Sequence, residues 1–236
     1  MDPDPESNHS SPKQTMLGGS GGFYEAVACD NRDPSQPIFF VTEDHVSGAL
    51  RKYTPPTTAE RPAGWDTLHL DGGETEYLVF LDGNKFKWSS DESLGRTSQT
   101  NHYPNVEGIN YHDGMLYFVY KKTLKLYILD LDKMTYVSSS TDDYVMYSGV
   151  FKNSPDQLVR KGKYLYFTED GGKTPGVYAI DADVNSYSIF EAYDEKYFQD
   201  ETTGLSFSPD GELICFDRRI SNYAVFNLTN RHHYLY

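Results

Sequence analysis

A pattern of short strands that recurs about every 45 residues constrains the fold more than any other feature of this chain. In each copy an acidic residue opens a short strand, a turn leads into a strongly apolar strand, and a second turn leads into a third strand. The copies span residues 24–53, 106–130, 155–181 and 201–226. The acids that open them are 82, 49 and 45 residues apart, and the first interval equals two periods of 41.

This period is typical of the blades of a β-propeller, which are built from short consecutive strands. Residues 67–81 supply another strand pair inside the double interval, so about five units fit the chain. Aromatic residues, which favour strands, make up 15% of the sequence. The sequence therefore predicts an all-β fold, a β-propeller of about five blades, with an incomplete propeller and a β-sandwich as open alternatives. No amphipathic helix is expected.

Two regions are expected along the chain. Residues 1–22 are polar and end in a glycine-rich run without the Lys-Ser/Thr tail of a P-loop, which predicts a disordered N-terminal segment that is not a secretory signal. Residues 23–236 form the predicted propeller domain. The two cysteines, Cys29 and Cys215, are compatible with one disulfide or with two free thiols.

The charge of the chain restricts its partners. A formal net charge of -14 repels phosphate backbones and anionic lipid, so we expect neither nucleic acid nor a membrane surface as a partner. Such a charge is compatible with cation binding.

The acids that open the repeats point to a metal site. The first strand of each propeller blade lines the central channel, so residues at its start converge near one mouth. Here they are Glu25, Glu107, Asp156 and Glu201. Two carboxylates about 5 Å apart at an effective dielectric constant near 20 repel by roughly 3 kcal/mol, so four of them require protonation or a cation. We predict that these four residues bind a metal, with Ca²⁺ favoured because it accepts many oxygen ligands in flexible arrangements.

Several side chains allow alternative interpretations. Each acid could instead bind backbone amides of the neighbouring blade, and Asn110, Asn153 and Gln157 could add neutral oxygens to a metal. The runs 42–44 and 168–170, both Thr-Glu-Asp, are expected to be solvated strand ends, with a second shell around the metal as the alternative.

Two histidines remain candidates for acid–base chemistry. His45 follows an acidic pair, and His102 lies shortly before Glu107. Each could act as a general acid or base, although no nucleophilic triad pattern accompanies them. The sequence identifies no catalytic residue.

The run 201–211, Glu-Thr-Thr-Gly-Leu-Ser-Phe-Ser-Pro-Asp-Gly, resembles the PhoX-type alkaline phosphatase family, as do residues 23–28, 40–53 and 154–172. The similarity spans most of residues 22–217. The resemblance implies a secreted, calcium- and iron-dependent phosphomonoesterase built on a β-propeller, extracellular or periplasmic, with Ca²⁺ and Fe³⁺ as cofactors and a small phosphorylated substrate.

The resemblance also assigns positions. It implies that Glu25 and Glu201 match metal-ligand positions and that Asp156 matches a channel acid of the third full repeat. The family's upstream Thr-Cys-Glu-Glu segment, whose Cys and Glu bind metal, does not occur in this sequence, and neither Cys29 nor Cys215 stands in such a context. The resemblance therefore implies a truncated or diverged member.

Two functions follow from the sequence. The first is a metal-dependent phosphomonoester hydrolase whose metals are held by channel carboxylates. The second is a non-catalytic calcium-binding propeller that serves as a binding or interaction module. A lactonase-like or organophosphate-hydrolysing calcium propeller is a third option, by analogy of fold.

Overall fold

The computed structural model describes most of the chain between residues 14 and 235. The described ranges are 14–18, 22–59, 65–140, 145–146, 153–171, 175–181, 185–191, 202–208, 213–217, 223–227 and 232–235. Their strands form four antiparallel meanders, which we call blades 1 to 4 in chain order.

Consecutive strands pair within each blade. Blades 1 and 2 consist of β1 (Tyr24–Asp30), β2 (Ile38–Glu43), β3 (Arg51–Thr54), β4 (Glu74–Leu81), β5 (Lys85–Ser89), and then β6 (Val106–His112), β7 (Met115–Tyr120), β8 (Lys125–Asp130) and β9 (Thr135–Ser140). Blades 3 and 4 consist of β10 (Val145–Met146), β11 (Ser154–Lys161), β12 (Tyr164–Asp170), β13 (Gly176–Ile180), β14 (Asn185–Glu191), and then β15 (Thr202–Phe207), β16 (Leu213–Asp217), β17 (Tyr223–Asn227) and β18 (His232–Leu235). Strand β10 is the exception to the consecutive pairing, because it lies parallel to β14 at the edge of the sheet. The antiparallel meander of blade 3 therefore starts with β11, which we count as its first strand.

The first strand of each blade lies innermost. Strands β1, β6, β11 and β15 contact one another in succession, as the inner strands of a propeller do. A single pairing, Lys85 with Thr135, joins the outer strands of blades 1 and 2 into one nine-stranded sheet. The predicted all-β, propeller-like fold is confirmed.

The count of about five blades is not confirmed, because the described residues form four. Residues 67–81, which the repeat assigned to a unit of their own, belong to blade 1. Trp65–Thr67 is a turn of 3₁₀ helix. Strand β4 then pairs with β3, so that Tyr53 faces Thr75. The long connection between β3 and β4 therefore lies within one blade and does not start another unit.

The hydrophobic core lies between successive blades. Strand β7 illustrates this, because its side chains alternate between two neighbours. Leu116 and Phe118 pack in a cluster with residues of blade 1. Tyr117 and Val119 pack in another cluster with Leu158 and other residues of blade 3. The second strand of a blade is buried on both faces, which explains its continuous apolar sequence.

The first strand of every blade carries an irregularity near its start. The pairing register shifts between Tyr24 and Val27 in β1, between Val106 and Ile109 in β6, and between Pro155 and Leu158 in β11. Two residues bulge out between the paired positions in each of these strands. Strand β15 has a similar shift after residue 203. A bulge redirects the side chains at that point and leaves backbone groups without ladder partners.

The Thr-Glu-Asp runs complete these bulges. The hydroxyl of Thr42 accepts a hydrogen bond from the amide of Ala26 at 3.0 Å, and that of Thr168 accepts one from Gln157 at 2.8 Å. Both threonines are fully buried. Their hydroxyls replace the acceptors that the strand ladder lacks at the bulge.

The expectation that these runs are solvated strand ends is wrong, because their glutamates are buried as well. Glu43 is 5% exposed and Glu169 is 1% exposed. Glu43 accepts a hydrogen bond from the amide of Ala49 at 3.2 Å, and Glu169 accepts one from the amide of Asn153 at 2.8 Å. Each carboxylate thus fixes the backbone next to the end of its strand.

One helix was not expected from the sequence. Helix α1 spans Glu92–His102. Asp91 is its N-cap, and the carboxylate of Asp91 accepts a hydrogen bond from the amide of Ser93 at 2.9 Å. Its inner face is polar, and Gln99 donates hydrogen bonds to the backbone oxygens of Glu43 and His45, each at 2.9 Å. Among the described residues, no helix has the length and apolar character needed to cross a membrane.

The bulge in blade 3 offers a test of this account. Replacing Thr168 with Val removes the acceptor of the Gln157 amide while keeping the side-chain volume. We expect the free energy of unfolding to fall by about 1 to 3 kcal/mol, measured by urea denaturation. Thr168→Ser keeps the hydroxyl, so its free energy of unfolding is expected to fall by less. An equal loss in both variants would show that methyl packing, and not the hydrogen bond, stabilises the bulge.

Candidate metal centre

Three of the four predicted acids converge. Glu25, Glu107 and Asp156, which we call the carboxylate trio, each offer an oxygen within 4.8 Å of the other two. Ligand oxygens on opposite sides of one Ca²⁺ are about 4.8 Å apart, since each Ca–O distance is about 2.4 Å. The spacing of the trio is therefore compatible with a single ion among the three carboxylates.

Each member of the trio occupies the same place in its blade. It is the first of the two bulged residues near the start of β1, β6 or β11. Glu107 is 1% exposed and Asp156 is 2% exposed, whereas Glu25 lies at the surface. The trio thus has a buried side formed by blades 2 and 3 and an accessible side at blade 1.

The fourth predicted ligand, Glu201, lies outside the described residues. The register of blade 4 nevertheless assigns another residue to the matching position. Thr202 pairs with Asp217 before the shift in β15, as Tyr24 pairs with Glu43 before the shift in β1. The residue that corresponds to Glu25 is therefore Thr203, although Thr203 itself pairs with Phe216. Glu201 precedes that position by two residues, and its role as a ligand stays a prediction.

A glycine next to Glu107 permits the close approach of blades 2 and 3. A Cβ atom at Gly108 would lie 2.4 Å from the backbone nitrogen of Leu158 and 2.6 Å from the carbonyl oxygen of Asp156. A side chain at this position would force the two inner strands apart. Gly108 therefore contributes to the short distance between the carboxylates of Glu107 and Asp156.

One ammonium group partly compensates the charge of the trio. Lys121, which follows β7, lies with its Nζ 3.2 Å from Oε1 of Glu107 and also forms an ion pair with Asp170. Burial lowers the pKa of Lys121, but its hydrogen bond to Asp170 and the charges of both carboxylates raise it by more. Lys121 is therefore a permanent cation at neutral pH.

This compensation is incomplete. The pKa of Glu107 is raised to about 9, first by burial and then by the negative charges of Asp44 and Asp156, against the opposing effect of Lys121. A pKa raised this far favours the protonated form of Glu107 at neutral pH when no cation is bound. A proton on Glu107 is one of the two ways to relieve repulsion among these acids, and a bound cation is the other.

Neutral side chains hold parts of this region in place. Gln157, the second bulged residue of β11, donates a hydrogen bond from Nε2 to Oε1 of Glu25 at 3.1 Å. Asn105 donates from Nδ2 to Oδ1 of Asp44 at 2.8 Å. Asn153, which was expected to supply an oxygen to the metal, instead donates to Glu169 at 3.0 Å. These amides orient carboxylates around the trio.

Cys29 does not offer a thiolate to the trio. It packs next to an apolar cluster that contains Phe39 and Tyr53, and burial together with the charge of Asp30 raises the pKa of its thiol. It is a free cysteine. The side chain of Cys215 lies outside the described residues.

The two candidate histidines have local partners. His45 stacks on Phe23 with 5.6 Å between ring centroids, and its Nδ1 accepts a hydrogen bond from the amide of Ser47 at 3.2 Å. His102 contacts the ring of Phe80 edge-on. These contacts give each ring a structural role, and acid–base chemistry by either histidine stays a prediction.

Sequence reasoning missed one charged residue of this region, Lys121. It covered Asp44 and Asp170 only through the alternative that the Thr-Glu-Asp runs form a second shell around the metal, and these two residues stand at the ends of second strands. The residues after a second strand meet the start of a first strand at the same end of the blades. Lys121, which directly follows the second strand of blade 2, could have been found by the same rule.

No protein-family model and no curated protein matches the sequence. The fold is similar to a chain of a nidogen/laminin complex, with TM-score 0.57, 12% identity and coverage of 91% of this chain and 64% of that chain. It is similar to Pseudomonas fluorescens PhoX in complex with vanadate, a transition-state analogue, with TM-score 0.57, 16% identity and coverage of 81% and 48%. It is also similar to YCF48 bound to a D1 peptide, with TM-score 0.51, 11% identity and coverage of 96% and 59%.

These similarities show a β-propeller-like fold. The chain spans between about half and two thirds of the length of these three proteins. One of them was solved with a transition-state analogue and another with a bound peptide, so the shared fold does not choose between catalysis and binding.

The pKa of Glu107 predicts how stability depends on pH. The pKa rises from an ordinary value of 4.5 to about 9 on folding, so between these values the folded state binds more protons than the unfolded state. Stability without divalent cations should therefore fall as pH rises through this window. We expect Glu107→Gln to be more stable than the wild type by about 1 kcal/mol or more near pH 8, in urea denaturation with a chelator present.

The control for this measurement is Glu92→Gln. Glu92 lies at the start of α1, where its hydrogen bond to Arg96 lowers its pKa. Its replacement should bring no gain in stability near pH 8. A wild-type protein whose stability is the same near pH 5 and near pH 8, in contrast to the expected fall, would contradict the assignment for Glu107.

Proposed function

We propose that this chain binds a divalent cation, Ca²⁺ in the first place, at the carboxylate trio. The observation that carries the proposal is the convergence of three carboxylate oxygens to within 4.8 Å, two of them from buried side chains. Burying acids so close together destabilises the fold unless a proton or a cation compensates. The donors are all oxygens, and hard cations such as Ca²⁺ prefer oxygen ligands.

Iron is a weaker proposal than calcium. The family that the sequence resembles binds metal through a cysteine as well as glutamates, and Cys29 packs in an apolar cluster away from such a role. The trio supplies carboxylates alone. We therefore propose calcium as the cation of this site and retain Fe³⁺ only through the resemblance.

The reaction that we propose for this site is hydrolysis of a phosphomonoester. Its support is the Glu-Thr-Thr-Gly-Leu-Ser-Phe-Ser-Pro-Asp-Gly run, with the other PhoX-like stretches, and the similarity of the fold to PhoX. A bound cation would neutralise phosphate oxygens and stabilise the charge that develops during transfer. Glu107 and Asp156 would hold the ion from the buried side, and the exposed Glu25 would hold it from the side that substrate can reach.

Lys121 would add a second positive charge near the phosphate. It is 31% exposed at its side chain, so it is accessible while remaining paired with Glu107 and Asp170. Its ammonium group can attract an anionic substrate to a chain that is otherwise strongly acidic. This would offset part of the repulsion that a net charge of -14 exerts on phosphate.

A non-catalytic propeller that binds calcium and a partner is the second candidate. One observation favours it: two of the similar structures are complexes with a protein or a peptide. In that case the cation would only hold the inner ends of blades 1, 2 and 3 together.

Calcium titration tests the site itself. We expect Ca²⁺ to bind with one ion per chain, to raise the melting temperature, and to release a proton near neutral pH because Glu107 must ionise. Calorimetric titrations in buffers of different ionisation enthalpy measure both affinity and proton release. Glu107→Gln and Asp156→Asn should weaken binding at least about tenfold, whereas Glu92→Gln should not. If neither calcium nor chelator changes the melting temperature, the proposed site is refuted.

An activity assay separates the two candidates. With calcium bound, we expect the wild type to release p-nitrophenol from p-nitrophenyl phosphate, and we expect chelator or Asp156→Asn to abolish the release because the ion is lost. Glu92→Gln is the control and should keep the activity. Calcium binding without release, with calcium alone and with calcium plus iron, would leave the non-catalytic propeller as the function.

A further inference from the structure

A cavity of about 440 Å³ lies beside strand β1. Its lining is mostly apolar and includes Leu17, Tyr24, Ala26, Val27 and Val41. Val27, in the inner strand of blade 1, is 54% exposed. The volume falls within the range of small-molecule sites in proteins.

Residues 14–18 form the opposite wall of this cavity. The amide of Met16 donates a hydrogen bond to the carbonyl oxygen of Leu68 at 2.7 Å, and Arg51 donates one to the carbonyl oxygen of Gly18. Leu17 packs against the apolar cluster of Phe39 on the face of blade 1. The segment is thus tied to blade 1 at three successive residues, so the wall is a built part of the fold.

Two glycines let the chain pass close to Tyr24. A Cβ at Gly18 would lie 2.7 Å from its ring, and a Cβ at Gly22 would lie 2.5 Å from it. Both glycines line the cavity together with Tyr24. The glycine-rich run therefore has a packing role where it meets the first blade. The prediction of a disordered segment over residues 1–22 is not decided by these contacts.

The cavity and the carboxylate trio share a residue. Glu25 lines the cavity and also offers a carboxylate oxygen to the trio. It is the member of the trio that lies at the surface. Glu25 thus connects the lining of the cavity to the trio.

We propose that this cavity binds the organic group of the anionic ligand, a phosphomonoester of an apolar, preferably aromatic, alcohol. The inference rests on the proposed function, because the cation at the trio is what would bind the phosphate end. A carboxylate such as Glu25 repels a bare phosphate, so the anionic end requires the cation, whereas the apolar lining favours carbon over water. The site thereby distinguishes an aryl phosphate from inorganic phosphate.

Phosphonates, which the protein cannot hydrolyse, test the proposal through binding alone. In saturating calcium we expect the wild type to bind phenylphosphonate about tenfold or more tightly than methylphosphonate, because only the phenyl ring reaches the apolar wall. Val27→Trp fills the cavity and should remove this preference. Val137→Trp is the matched control, since Val137 is 60% exposed on β9 and does not line the cavity. It should keep the preference.

The outcomes separate this inference from the cation site. Calcium binding with equal affinity for the two phosphonates overturns the cavity assignment and leaves the cation site intact. If the wild type binds no calcium, 2-naphthol serves as a neutral probe in ligand-observed NMR. Binding that Val27→Trp abolishes and Val137→Trp keeps would support an aryl site, and binding to none of the three proteins would overturn it. Val27→Ala, which enlarges the cavity without blocking it, should weaken the binding of phenylphosphonate by a few-fold. This variant keeps the test valid if the tryptophan variant misfolds.

Discussion

Two residues bulge out near the start of the inner strand in blades 1, 2 and 3, and most of the chemistry of this protein depends on them. A regular strand would direct successive side chains to opposite faces of its blade. The bulge adds a residue, so an acid can turn towards the neighbouring inner strands. Its cost is a backbone amide without a ladder partner, which buried threonine hydroxyls satisfy in blades 1 and 3.

Burial changes the pKa of Glu107 more than the charges of its neighbours do. Glu107 lies between blades where water is largely excluded, and its pKa of about 9 reflects that burial first and its acidic neighbours second. The ammonium group of Lys121, 3.2 Å from Oε1 of Glu107, lowers this pKa without restoring an ordinary value. The proposed binding of a cation would exchange a proton on Glu107 for the ion, which would link the affinity for the ion to the pH of the medium.

The sequence was sufficient to predict the strand pattern and the convergence of Glu25, Glu107 and Asp156, since both follow from a regular period. It was insufficient where local geometry departs from the period. In blade 4 the register of β15 assigns Thr203 to the position that matches the trio, whereas the repeat pointed to Glu201, whose role as a ligand stays a prediction. Hydrogen bonds from polar residues such as Gln99, rather than apolar contacts, attach α1, so hydrophobic periodicity could not reveal the helix.

The burial of the glutamates in the Thr-Glu-Asp runs could not be predicted from the sequence either. Acidic residues at strand ends are usually solvated, and only the three-dimensional structure brings the amides of Ala49 and Asn153 to Glu43 and Glu169. The count of about five blades is not confirmed for a similar reason. Residues 55–73 connect β3 to β4, and this long connection returns the chain to the same sheet instead of starting another blade.

The carboxylate trio draws one side chain from each of three successive blades, and this has a consequence for split forms of the protein. A fragment that ends before Ser154 would retain the aromatic core between its two blades while losing Asp156. The complementary fragment would carry Asp156 without either glutamate. Neither half would then possess a complete set of donors, so tight ion binding by a mixture of the two would report that the halves had reassociated in register.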